Sequence, residues 1–278
     1  MFGILLTSIS TFFQEISVSI GKDGVARRLQ GIYTMGFLNS FWILLIFIFL
    51  IFATGQKFIF SLASLPTFGL RVILELFQAD ISVRAAVAAD RSTYSFIRTI
   101  TIPLLLSIDL FLGYHISSSQ LAGVFLIGST LLFIFMARGV NKIGIRLIIF
   151  TAINAALTLS LFKYDITHFN SVVAEQSIIY SFLLIYFFSS AYWKAGENPL
   201  VFLKKPLFFI QSSSNGFGGI LQSFAYSFAP ASVIITAERS SAVLWSVLSG
   251  NIYFKERGFL VKIAALVFLV AGIVLLTR

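Results

Sequence analysis

Residues 236–275 read TAERSSAVLWSVLSGNIYFKERGFLVKIAALVFLVAGIVL, and residues 94–133 read YSFIRTITIPLLLSIDLFLGYHISSSQLAGVFLIGSTLLF. Laid over one another without a gap, each is an apolar span, a short polar turn and a second apolar span. Leu106 and Ser107 fall on Leu248 and Ser249, Gly123 on Ala265 and Thr130 on Gly272. Tyr114 and His115 fall on Glu256 and Arg257, inside the turn. Identity is low, but the layout is the same, which predicts an internal duplication.

The rest of the chain continues the pattern. Ten apolar segments are expected as helices, at 3–20, 33–53, 70–89, 92–112, 119–137, 144–162, 174–193, 207–228, 231–253 and 260–277. A helix crosses the hydrocarbon core in ~20 residues. The connections are short and polar, as in GKDGVARRLQG at 21–31 and KAGENP at 194–199. Of the 278 residues, 58% are hydrophobic and 11% charged, and mean hydropathy is +0.95. Soluble domains carry about 25% charged residues. A soluble enzyme, a disordered tail and a fibrous repeat are therefore excluded. The expected fold is an all-α polytopic membrane protein of ten transmembrane helices. It comprises two five-helix repeats, 1–137 and 138–278, in one compact domain. An odd number of spans per half gives the halves opposite orientations. Such inverted repeats are typical of secondary transporters.

The net charge of +9 and pI of about 9.9 read as loop cations of a membrane protein, not as a nucleic-acid footprint. The absence of cysteine excludes disulfides, thiolate nucleophiles and Cys-zinc sites. His115 and His168 both lie between apolar runs, so neither a metal site nor a cofactor is expected. The opening MFGILLTSISTFFQE lacks a basic leader and reads as a retained first span.

The last two spans resemble the end of drug/metabolite transporter superfamily proteins of the EamA type. The resemblance rests on a Lys255-Glu256-Arg257 turn and a tail of Ala271, Gly272, Ile273 and Val274. The first half has the same shape, with Pro103 where many members carry a mid-span proline. The resemblance implies a 5+5 inverted repeat, a central cavity and alternating access. Glu15 sits at a depth similar to the proton-binding glutamate of the small multidrug resistance branch.

Ionisable groups inside spans are costly and mark pathways or partners. Glu15 reads as a proton carrier, since burial raises a carboxylate pKa, or as the partner of a buried arginine. Arg98, four residues after Tyr94, reads as an anion site beside an aromatic ring, or as an ion pair with Asp80, Glu75 or Glu238. Glu238 and Arg239 are adjacent, point ~100° apart, and so are expected to need different partners. Arg239 falls on Ile97 in the duplication, next to Arg98, which predicts one arginine from each half facing a shared cavity. Arg71 and Glu75, and Asp80 and Arg84, are spaced to pair along one helix, with the two pairs on roughly opposite faces. Gln211, Asn215 and Gln222 in the small, polar eighth span are cavity candidates, as are Arg84 and Trp245. Asn154 reads as packing glue. Glu175 and Asp109 read as water-accessible groups near span ends. No catalytic residue is assigned.

Loop cations gather after odd-numbered spans, among them Lys22, Arg27, Arg28, Arg91, Arg138 and Lys204, against Lys57, Lys163 and Arg278 opposite. The positive-inside rule then puts both termini outside the cytoplasm, whereas the resemblance implies both inside. The expected function is secondary transport of a small metabolite, or export of a toxic compound, across the plasma membrane. Coupling would come from protons or exchange, because no GxxxxGK loop is present. A flippase for a lipid-linked sugar or phosphate is the runner-up. An intramembrane enzyme has neither HExxH nor GxSxG to support it, and a scaffold leaves the central charges unused. The expected partners are a small-molecule substrate and the bilayer, with a second copy forming a homodimer as the candidate protein partner.

Overall fold

A computed structural model describes residues 2–53, 55, 57–111, 118–136, 142–229, 231–256 and 258–276. Among them there is helix, turn and loop but no strand. The helices are α1 (Phe2–Ala26), α2 (Ile32–Ala53), α3 (Leu65–Ala88), α4 (Arg91–Arg98), α5 (Thr101–Phe111), α6 (Ser118–Met136), α7 (Ile145–His168), α8 (Val172–Ala195), α9 (Pro199–Phe202), α10 (Pro206–Ala225), α11 (Ala231–Ile252) and α12 (Phe259–Leu276). The described residues of each apolar segment expected from the sequence are mainly helical. Among the described residues, five stretches are long and apolar enough to cross a membrane: Phe2–Ala26, Ile32–Ala53, Leu62–Ala88, Ile145–His168 and Val172–Ala195. Tyr114, His115, Arg138, Arg257 and Arg278, and the Asp109 side chain, lie outside what the structure describes.

The helices are built inside out relative to a soluble protein. In α1 the buried positions include Thr7, Ser10, Thr11, Glu15 and Ser17, while Leu5, Ile9 and Phe12 face outward. Phe52, Phe125 and Leu260 are among the most exposed side chains elsewhere. A polar face needs partners that lipid cannot supply, so it turns inward, and the apolar face meets the solvent it matches.

The expected span 92–112 is broken. Thr99 N–H donates to Phe96 O (3.1 Å) and Ile100 N–H to Ile97 O (3.1 Å), a tightened turn between α4 and α5. Pro103 explains the position: its ring excludes the carbonyl four residues earlier, that of Thr99. α1 also runs six residues past its expected end at 20, to Ala26. The short α9 starts on Asn198, which caps the Leu200 N–H (3.1 Å), followed by Pro199 in the first turn.

Small residues set the closest helix approaches. A Cβ on Gly216 would lie 2.4 Å from Trp42 Cβ of α2, and one on Gly218 would lie 2.8 Å from the Ser10 carbonyl oxygen of α1. α10 is thereby wedged against both α1 and α2, with Ser10 Oγ donating to Gly218 O (2.7 Å). α1 also packs on α11, α3 on α7, α2 on α8 and α6 on α12, while α4 and α5 lie between α7 and α11.

Candidate functional site

A polar cavity runs through the middle of the bundle in two adjoining lobes of about 130 and 140 Å³. Gln14 and Glu238 line both, so the lobes meet at those side chains. Glu15, Arg91, Tyr94, Arg98 and Arg239 line the first lobe. Arg71, Glu75, Tyr180, Gln222 and Tyr226 line the second. The helices deliver these groups from far apart in sequence: α1 brings Glu15, α3 Arg71 and Glu75, α4 Arg98, and α11 Glu238 and Arg239.

In the first lobe, Arg91 forms a two-pronged pair with Glu15, Nη2 to Oε2 at 2.7 Å and Nε to Oε1 at 3.1 Å. Ser249 Oγ donates to the same carboxylate (2.5 Å). Glu15 is thus the partner of a buried arginine, one of the two readings that its sequence position allows. Arg239 Nη1 lies 2.5 Å from Glu238 Oε1, while Gln222 Nε2 donates to Glu238 Oε2 at 2.7 Å. The expectation of separate partners for these neighbours does not hold, because both side chains are long enough to bend together. Arg98 Nη1 donates to Tyr94 Oη (3.2 Å), with the guanidinium 5.3 Å from the Tyr94 ring centre. Among the described residues no acid lies within ion-pair distance of Arg98. Its expected partners are taken: Asp80 by Arg84, Glu75 by Arg71 and Glu238 by Arg239.

In the second lobe, Arg71 is the hub. It donates to Glu175, to Gln176 Oε1 (3.2 Å), and lies 3.6 Å from Glu75 and 4.3 Å from the Phe162 ring centre. The local pair at Arg71 and Glu75 is looser than the sequence spacing suggests, because Glu175 of α8 competes for the guanidinium and wins. Glu175, expected near water at a helix end, has no exposed side-chain surface and also accepts from Asn170 Nδ2 (3.2 Å).

No family model matches this sequence, and no curated protein does. What the site can do is therefore read from its own chemistry. Two sets of ion pairs flank it. In one, Glu256 in the turn between α11 and α12 receives the Arg91 N–H (2.5 Å), the Ser92 N–H (3.3 Å) and the Ser92 hydroxyl, and pairs with Lys262 Nζ (3.1 Å). It therefore caps the start of α4, the helix that carries Arg98. Burial pushes the Glu256 carboxyl up, but the Ser92 hydroxyl and the Lys262 ammonium outweigh burial and hold it below its ordinary value. Lys22 Nζ adds a bond to Ala89 O. In the other stand the Arg71 hub and Thr67 Oγ1, which donates to Asp165 Oδ1 (2.6 Å).

Of the sequence candidates, Glu15, Tyr94, Arg98, Gln222, Glu238 and Arg239 share the cavity. The other four lie elsewhere. Gln211 bonds Gln30 (2.9 Å) and Asn39 (3.3 Å), and Asn215 Nδ2 bonds Asn39 O (2.6 Å), so both tie α10 to the α1–α2 region. Arg84 pairs with Asp80 (2.8 Å) and Tyr33 Oη (2.8 Å) toward α2 and α8. Trp245 packs edge-on against Phe12 at 4.9 Å on the outer face. Asn154 bonds Leu74 O (2.9 Å) and Gln78 (3.0 Å), as packing glue should. Sequence reading missed Arg91, taken as a loop cation, and the second lobe with Tyr180 and Tyr226. Nothing local marks these residues.

Proposed function

We propose that the protein is a secondary transporter of a small polar solute in the plasma membrane, with ten spans arranged as a 5+5 inverted repeat and working by alternating access. The observation that carries this reading is an ion-lined cavity among apolar helices, flanked by two separate sets of ion pairs that could serve as gates. An enzyme needs one access route, whereas a carrier needs two gates. The packing supports the repeat. Exchanging α1 with α7, α2 with α8, α3 with α10, α4–α5 with α11 and α6 with α12 carries several of the largest contacts onto one another, though not that of α11 with α12. The α1 contacts with α10 and α11 become those of α7 with α3 and α4–α5, while the pairs α2 with α8 and α6 with α12 map onto themselves. This exchange pattern is also what the resemblance to EamA-type drug/metabolite transporters implies. Coupling runs through exchange, or through protons at Glu15 once Arg91 lets go.

Counterflow in proteoliposomes tests the reading. Vesicles are preloaded with pooled amino acids, nucleosides, nucleotide sugars or organic cations. Saturable exchange of one pool, lost in Arg98→Gln, is the expected result. Exchange indistinguishable from empty vesicles for every pool would count against solute transport.

One observation favours the flippase alternative. An apolar groove of about 590 Å³ lies on the outer face between α1 and α11, lined by Phe12, Ile16, Leu207, Trp245 and Tyr253. Glu15 and Ser249 form its floor, and Glu15 also lines the central cavity. An acyl chain in the groove with a polar head inside would use both. Scrambling of a labelled lipid by the same vesicles separates this reading from solute exchange.

A further inference from the structure

The cavity's two lobes differ in the sign of what they leave unmet. In the first, the Tyr94 hydroxyl is the one hydrogen-bond partner of Arg98 among the described residues. Arg239 is 3% exposed. The Nε–H groups of both guanidinia are buried without an acceptor. A buried donor left unmade is costly, and the lobe holds two guanidinium charges, of which Glu238 answers only that of Arg239. In the second lobe the surplus is of the opposite kind. Glu75 has Arg71 at 3.6 Å, but that guanidinium already serves Glu175 and Gln176. Gln222 Oε1 is a buried acceptor with no donor, because its amide nitrogen is turned to Glu238. The rings of Tyr180, Tyr226 and Phe162 add faces that attract a cation.

We propose that the cavity binds a small zwitterion, its carboxylate held by Arg98 and Arg239 and its ammonium group by Glu75 and the Gln222 carbonyl. This inference rests on the small-solute reading above and names the cargo class. A monoanion meets the first lobe and leaves Glu75 facing it. A monocation meets the second and leaves the Arg98 charge unanswered. Glu238 stands where the lobes meet and is already engaged by Arg239 and Gln222, so the positive charge left over in the first lobe is that of Arg98. The two lobes together fall just below the ~300–1,000 Å³ range of drug-sized sites, which suits a molecule of amino-acid size.

Thermal unfolding of the purified full-length protein, with matched triads of ligands, tests this. Each triad is an amino acid, its N-acetyl derivative (anion alone) and its amide (cation alone). Alanine, leucine, phenylalanine and glutamine serve as parents. At least one amino acid is expected to raise the unfolding midpoint by about 3 °C or more at saturating concentration, with neither derivative doing so. Arg98→Gln should make the amide as good as its parent amino acid. Glu75→Gln should do the same for the N-acetyl form. Both variants are near-isosteric, and the Glu15–Arg91 and Arg71–Glu175 pairs persist in each; an unfolding midpoint of each unliganded variant close to that of the unaltered protein checks that it folds. An N-acetyl form or an amide that matches the amino acid on the unaltered protein would overturn the proposal, as would no shift from any parent. Counterflow of an anion pool without such zwitterion stabilisation would overturn this inference and leave transport standing. Zwitterion stabilisation without counterflow would do the reverse.

Discussion

The two sets of ion pairs beside the cavity follow different electrical designs. In the set around α4, two acids meet two bases in separable pairs, Glu15 with Arg91 and Glu256 with Lys262, supplied by α1, α4, the α11–α12 turn and α12. In the set around α8 one guanidinium, Arg71, answers Glu175, Glu75 and Gln176. The first arrangement distributes its interactions, and the second funnels them through a single side chain. A distributed set can loosen pair by pair, whereas a funnelled one holds or fails as a unit.

The largest expected effect is therefore at Arg71. Replacing it by Met strands Glu175, whose side chain has no exposed surface, beside Glu75. A loss of about 3–5 kcal/mol is expected, because an uncompensated buried charge remains. Fluorescence-detected size exclusion after heating should show it, and Arg71→Met with Glu175→Leu should recover part of the loss. Glu15→Gln in the distributed set should cost less, about 2 kcal/mol, since Ser249 and the neighbouring pair persist. Equal losses at the two positions would break the contrast.

Acid sharpens it further. The Glu256 carboxyl is held below its ordinary value in the folded protein. Its contribution is fully present above the unfolded value of about 4.3 and fades as pH falls through the lower folded value. Unfolding midpoints of the unaltered protein and Glu256→Gln should differ at pH 7 and converge as pH drops toward 3. A constant gap would mean that the carboxylate charge contributes nothing there. Arg98→Gln should change stability by under about 1 kcal/mol, because no ion pair is lost, while abolishing exchange. The smallest effect is expected at Arg84→Gln. Its side chain is 41% exposed in its pair with Asp80, so a change within about 0.5 kcal/mol is expected in the same assay.

The sequence makes the helices legible and the pairings illegible, for one physical reason. Hydropathy is a local property, and the described residues of every apolar segment read from it are mainly helical. Even the break between α4 and α5 has a local signal in Pro103, four residues downstream. Pairs at i,i+4 are local too, and Asp80–Arg84 forms as its spacing suggests. The cavity is built by long-range choices. Arg71 meets Glu175 across 104 positions and Arg91 meets Glu15 across 76. No spacing rule ranks such distant partners, so Glu175 resembles a water-exposed terminus and Arg91 a loop cation. Arg98 stood out in sequence because it sits deep in a span, and its lack of an acid partner appears only once the other acids are seen to be occupied.

The Arg71 hub has a consequence for how the chain is made. Arg71 is synthesised 104 residues before the glutamate that answers it. At ribosomal rates of about 5–20 residues per second, that leaves it without Glu175 for roughly 5–20 seconds. Through that interval α3 carries a guanidinium that lipid cannot accommodate cheaply. The helix must wait in a watery groove of the insertion machinery, or lean on Glu75 one turn away. The loose local pair at 3.6 Å is then a temporary escort, in place from the first turn of α3 and relieved when α8 arrives.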